Sequence, residues 1–321
     1  MEHATMSGST AVTRLNIVNL LAYVLNVAIT WGSQLGWFGA TNQEQSLKYQ
    51  TLVTPIGFAF SIWGPIFLLQ ALFAVVQFTP NYRGDESVVS GVGYWYVAVC
   101  AAQAGWTICF AQDVLWLSMV FMLLILACLS ALCNSVVRVD EPASAAETAW
   151  SVTWRYLCFR APFLMHLGWI TAASFVNFNA CLVKYAAADT DLHLAAAIAT
   201  IALLLLPGLV NPATTTVSGS ADPLYSLVIV WAFFGVHKEL LQPELQGDLT
   251  TWVPALVQHA LADVAALMAG GLLVVVLVRL AWRVAAASRL GRSGAGASDT
   301  TAPVYPRFEE RSDNKPVANC L

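Results

Sequence analysis

Five aromatic residues and two amides inside apolar stretches carry the chemistry this chain could do. Trp63 is followed four residues on by Phe67, Trp106 four residues on by Phe110, and Trp169 stands in a third apolar stretch. Gln103 precedes Trp106, and Asn177 follows Trp169. A buried indole offers a flat apolar face and one N–H donor, which suits a cavity for a flat hydrophobic ligand. Gln103 and Asn177 would then fix orientation by hydrogen bonds, either to that ligand or between helices. The same residues also suit plain core packing. His259 and Asp263 are four apart, hence on one helical face, and suit either a proton or ion relay or a hydrogen bond between helices. The chain has no GxSxG, no nucleotide-binding loop, no HExxH and no Cys/His metal spacing, so neither a catalytic residue nor a metal ligand is expected.

The elements that position these residues follow from composition. Of the 321 residues, 58% are hydrophobic and 11% charged, against about 25% charged in a soluble domain. So little polar surface cannot cover a globule in water, and lipid supplies the missing solvent. A net charge of −4 offers nothing to a nucleic acid. A span needs roughly 20 residues at about 1.5 Å rise. Eight stretches approach that length: Leu15 to Trp37, Pro55 to Phe78, Val89 to Phe110, Val114 to Val137, Ala161 to Val183, His193 to Val210, Pro223 to Val236 and Pro254 to Val278. The seventh is short. The fold class expected is therefore an all-α integral membrane protein, a bundle of about eight transmembrane helices.

Loop charges fit an even count. Arg14, Arg83, Arg138, Arg155, Arg160, Arg279, Arg283, Arg289 and Arg292 fall on one side, and Lys48, Lys184 and Lys238 on the other. That bias places both termini in the cytosol. Trp37, Trp150, Trp154, Trp252 and Trp282 stand at predicted span ends, where indoles form interfacial belts. The seven Cys lack paired spacing and read as small buried hydrophobes. Residues 1–14 read as a cytosolic segment, 140–147 as a polar linker and 287–321 as a disordered cytosolic tail.

The motifs resemble one family. Thr54-Pro55-Ile-Gly57-Phe-Ala-Phe-Ser-Ile62-Trp63-Gly-Pro-Ile-Phe67 is similar to the second helix of the TspO/translocator protein family, the tryptophan-rich sensory proteins or peripheral benzodiazepine receptors. Gln103-Ala-Gly-Trp106-Thr-Ile-Cys-Phe110 resembles that family's third-helix motif. Trp169 with Ala173 and Asn177, preceded by Pro162, resembles its fifth. Gly57 stands where the family has Trp, Gln103 replaces Asn, Phe67 replaces Tyr, and Pro162 lies three residues farther from its Trp.

The resemblance covers about residues 15–185 and implies a five-helix translocator-protein-like unit there, with three additional helices over 186–286. It implies a membrane binding, transport or sensory protein for a flat ligand: a tetrapyrrole such as haem or protoporphyrin, less a sterol. The pocket residues would be Trp63, Phe67, Gln103, Trp106, Phe110, Trp169 and Asn177. No resident cofactor is expected beyond such a ligand, and the partners are the lipid bilayer, a hydrophobic small molecule and, left open, a second copy in a homodimer. Two alternatives remain: a proton-coupled transporter using His259 and Asp263, and a porphyrin-degrading enzyme. Val152, Tyr156 and Arg160 form a weak sterol-type pattern before the fifth span.

Overall fold

The computed structural model describes residues 11–139, 148–186, 189–210, 222–242 and 252–296. The linker expected over 140–147, most of the N-terminal segment, Cys320 and the tail beyond residue 296 lie outside them. The described part of that tail, 287–296, continues a helix.

All regular structure among the described residues is helical. Thr13 and Asn16 exchange side-chain and backbone hydrogen bonds in a capping box that starts α1 (Arg14–Gln34). Ile17, Leu21 and Leu25 face outward from α1, while Asn16, Asn19, Asn26 and Ser33 are buried. That reversal of soluble-helix order is what a lipid solvent demands. Thr41 and Glu44 build the same box for α2 (Asn42–Lys48). A 3₁₀ turn (Gly57–Ile62) leads into α3 (Trp63–Val76), and a π-helical turn (Ser87–Val92) precedes α4 (Trp95–Ala111). Then follow α5 (Leu115–Val139), α6 (Ala149–Phe159), α7 (Ala161–Tyr185), α8 (Thr190–Leu209), α9 (Pro223–Leu241) and α10 (Ala255–Gly296).

Each of the eight expected spans overlaps one of these helices. Among the described residues, six runs are long and apolar enough to cross a membrane: α1, Gly57–Val76, α5, α8, α9 and Ala255–Trp282 within α10. The chain is thus an all-α, multi-pass membrane protein. The seventh expected segment starts at Pro223 as expected, with Asp222 capping it, and runs past its apolar stretch to Leu241. The third begins later than expected. Gly93, at φ 49°, breaks the backbone between the π-helical turn and Trp95.

By compactness the chain divides at residue 277. Met1–Leu277 is one unit, in which α7 is central and packs on α3, α5, α6, α8 and α9. Gly168 permits the α9 approach: a Cβ there would lie 2.8 Å from the Val228 side chain and 3.2 Å from the Tyr225 carbonyl oxygen. The second unit, Val278–Leu321, contains the described end of α10.

Candidate functional site

The 3₁₀ turn ahead of α3 is gripped by α9. Ile56 N–H donates to the Gly235 carbonyl at 3.0 Å, and Trp231 Nε1–H donates to the Ala59 carbonyl at 2.9 Å. A Cβ on Gly235 would sit 2.9 Å from the side chains of both Ala59 and Pro55, so only glycine lets the strands of chain meet here. This clamp fixes Phe60 and Trp63. Phe60 meets Trp169 edge-on with centroids 5.5 Å apart, and Trp63 stacks on Phe67 at 5.5 Å and 23°. Across from them Trp106 stacks on Phe110 at 5.2 Å and 19°. Both stacks join residues one helical turn apart, which face the same way.

Two adjoining hollows lie between these rings, sharing Asn42, Ser46, Phe60, Trp63 and Trp106 in their walls. The outer chamber encloses about 710 Å³. Thr30, Trp31 and Gln34 of α1 close one side, Phe67 and Gln103 line another, and Trp31 is 62% exposed at its rim. The inner hollow holds only about 80 Å³ and is walled by Phe110, Trp169 and Asn177 with residues of α8 and α9, such as Ile201 and Phe233. Ligand sites run from about 300 to 1,000 Å³, so the outer chamber is ligand-sized and the inner hollow is not.

The amides differ as sharply. Asn177 accepts from Trp106 Nε1–H at 3.1 Å and from Ser118 Oγ–H at 3.2 Å, so its oxygen is spent on joining α4, α5 and α7. Gln103 is 0% exposed, and neither its Nε2 nor its Oε1 has a partner. Gln45 donates Nε2–H to the Phe110 carbonyl at 2.8 Å while its Oε1 is unpaired. Thr30 Oγ1 and Asn42 Oδ1 are unpaired as well.

Charge is confined to the edge. Among the described lining residues there is no Asp, Glu, Lys, Arg or His. Tyr49, at the edge of the inner hollow, lies under Lys48 at 5.1 Å and Lys184 at 5.5 Å from its ring centre. Both lysines are engaged by Asp113, at 2.7 and 3.1 Å. Asp113 closes α4 in the left-handed region (φ 65°), with Val114 N–H returning to the Cys109 carbonyl at 2.8 Å. Burial raises its pKa, but hydrogen bonds from Lys48, Lys184 and Tyr49 outweigh that and hold it below its ordinary value.

All seven aromatic and amide residues singled out in the sequence therefore line one or both hollows. His259 and Asp263 do not: both are exposed on α10 and line neither. Of the other intramembrane polar residues, His166 Nδ1 pairs with Gln70 Nε2 at 3.0 Å, and Asn179 Nδ2–H donates to Thr200 Oγ1 at 2.8 Å. Tyr156 and Arg160 of the sterol-type pattern both bind Asp222, at 2.9 and 3.5 Å, where it caps α9. Sequence reasoning missed Thr30, Gln34, Asn42 and Gln45. A signal existed in α1, whose Asn16, Asn19, Asn26, Thr30 and Ser33 recur at helical spacing within an apolar run.

The family model described as TSPO-like protein matches residues 16–278, from the first turn of α1 into α10. No curated protein and no solved structure matches the chain.

Proposed function

The chain belongs to the TSPO-like protein family, and from that premise we propose that its outer chamber binds a flat hydrophobic ligand, a tetrapyrrole such as haem or protoporphyrin before a sterol. The observation that carries this reading is the pairing of two indole–phenyl stacks, Trp63 with Phe67 and Trp106 with Phe110, around a ligand-sized space. Ring faces supply most of the binding area there, and the Gln103 amide supplies an orienting hydrogen bond. Binding serves carriage or sensing at the membrane, with both termini on the cytosolic, arginine-rich side. Proton-coupled transport through His259 and Asp263 has no comparable support, since both side chains lie outside the hollows.

Titration with protoporphyrin IX, followed by tryptophan fluorescence, tests the reading. Saturable quenching is expected, and it should weaken when Trp63 and Trp169 are both changed to Leu. An unaltered curve in that double variant would remove the chamber as the binding site.

A further inference from the structure

Trp63 borders both hollows and carries much of the ligand-binding reading, on which this inference rests. Two rings hold it. Phe67 stacks on it from one turn farther along the same helix, so that contact moves with α3 and fixes nothing against the rest of the bundle. The second ring is His166 of α7, which meets the indole edge-on with centroids 5.5 Å apart and planes at 68°. Elsewhere a phenyl ring suffices for such a contact: Phe60 meets Trp169 at 5.5 Å and 87°. An imidazole inside a lipid-embedded bundle therefore calls for a reason beyond packing.

His166 is wholly buried, and so are the two polar side chains that lead to it, Gln70 of α3 and Tyr96 of α4. None of the three lines either hollow. Tyr96 O–H donates to Gln70 Oε1 at 3.2 Å, which leaves Gln70 Nε2–H to donate to His166 Nδ1 at 3.0 Å. A ring nitrogen that accepts carries no proton, so the hydrogen of the neutral imidazole sits on Nε2. Turning the amide over would deprive the phenol of this oxygen acceptor and move that hydrogen to Nδ1. Among the described residues Nε2 has no oxygen or nitrogen partner, and the ring that His166 meets edge-on is Trp63. The polarised N–H edge of an imidazole is drawn to the electron-rich face of an indole. We propose that His166, set in its Nε2–H form by the Tyr96–Gln70 chain, is a positioning residue that holds Trp63 in the chamber wall.

Nuclear magnetic resonance on the full chain in lipid nanodiscs, with isotopically labelled histidine, reads the tautomer directly; the His166 signals are those lost in His166→Phe. A bare Nδ1, a protonated Nε2 and an Nε2 proton shifted upfield by the indole face are expected, with the upfield shift gone in Trp63→Leu. Tyr96→Phe removes one oxygen outside the hollows, and both tautomers should then appear. In fluorescence titrations with protoporphyrin IX, His166→Phe should weaken binding about fivefold. Tyr96→Phe should weaken it in the same direction, and the double variant should bind no more weakly than His166→Phe alone. A protonated Nδ1 in the natural chain, or a proton shift indifferent to Trp63→Leu, overturns the assignment. Natural affinity in both single variants overturns the positioning role yet leaves the aromatic chamber standing. If the natural chain shows no quenching by protoporphyrin, the ligand-binding reading falls by itself, and the resonance measurements still decide whether His166 holds Trp63.

Discussion

The inner hollow and the outer chamber share Phe60, Trp63 and Trp106, yet two amides, Asn177 from one and Gln103 from the other, behave in opposite ways. Asn177 at the inner hollow spends its oxygen on Trp106 and Ser118 and so welds three helices together. Gln103, one turn before Trp106 on the same helix, is just as buried and spends nothing. A buried amide with partners adds about 0.5–1.5 kcal/mol per bond, whereas one without them costs about 1–3 kcal/mol. Gln103 therefore weakens the resting bundle, and a residue that does so beside a ligand-sized space fits binding better than scaffolding. Similar residue types mark scaffold in one place and site in the other, and only their hydrogen bonds tell them apart.

The contrast breaks most visibly at Trp169, 2% exposed in the inner wall. Trp169→Ala should lower stability by about 3–5 kcal/mol, read as thermal unfolding in detergent, while protoporphyrin affinity at the outer chamber shifts by less than about threefold. A large affinity loss with unchanged stability would reverse the two roles. Next come the amides themselves. Asn177→Leu should destabilise by about 1–3 kcal/mol, because the buried Trp106 N–H loses its acceptor while Ser118 O–H keeps only the Leu115 carbonyl. Gln103→Leu should be neutral or stabilising by a comparable amount, with weaker binding of protoporphyrin. Equal signs in the two stability measurements would erase the distinction.

Trp63→Leu sharpens it further. This ring borders both spaces, and its loss should weaken ligand binding about tenfold, or about 1.4 kcal/mol, by fluorescence titration on the remaining indoles. The smallest effect is expected at the charged edge. Because Asp113 is held below its ordinary pKa, its pairing stabilises the fold above the unfolded carboxylate value near 4 and is lost as pH falls through the lower folded value. A third of that side chain is exposed, so the loss should be modest. Unfolding followed between about pH 5 and 2 should show that slope in the natural chain and a flatter one in Asp113→Asn.

Much of this was legible in the residues. Spans were visible because lipid leaves no place for charge, and the aromatic positions stood out because Trp63, Trp106 and Trp169 sit away from span ends. What escaped was contributed by elements whose own sequence is unremarked. The α2 residues Asn42 and Gln45 lie in a seven-residue helix marked only by its capping box. The α9 clamp on Pro55 and Ala59 depends on a close approach at Gly235, and a single glycine in an apolar run does not announce its partner. Whether an amide is paired is likewise a property of the packed bundle: Gln103 and Asn177 look alike along the chain and separate only once α5 brings Ser118 to one of them.

Photo-crosslinking asks the central question most directly: does a flat ligand lie between α1, α3 and α4? Protoporphyrin carrying a diazirine at its edge is irradiated with the protein in vesicles, and the modified peptides are mapped by mass spectrometry. Labelling concentrated at residues 30–34, 61–67 and 103–106, competed away by unlabelled ring, is the predicted result. Labels confined to the lipid-facing sides of α8 and α10, unmoved by competitor, would contradict it.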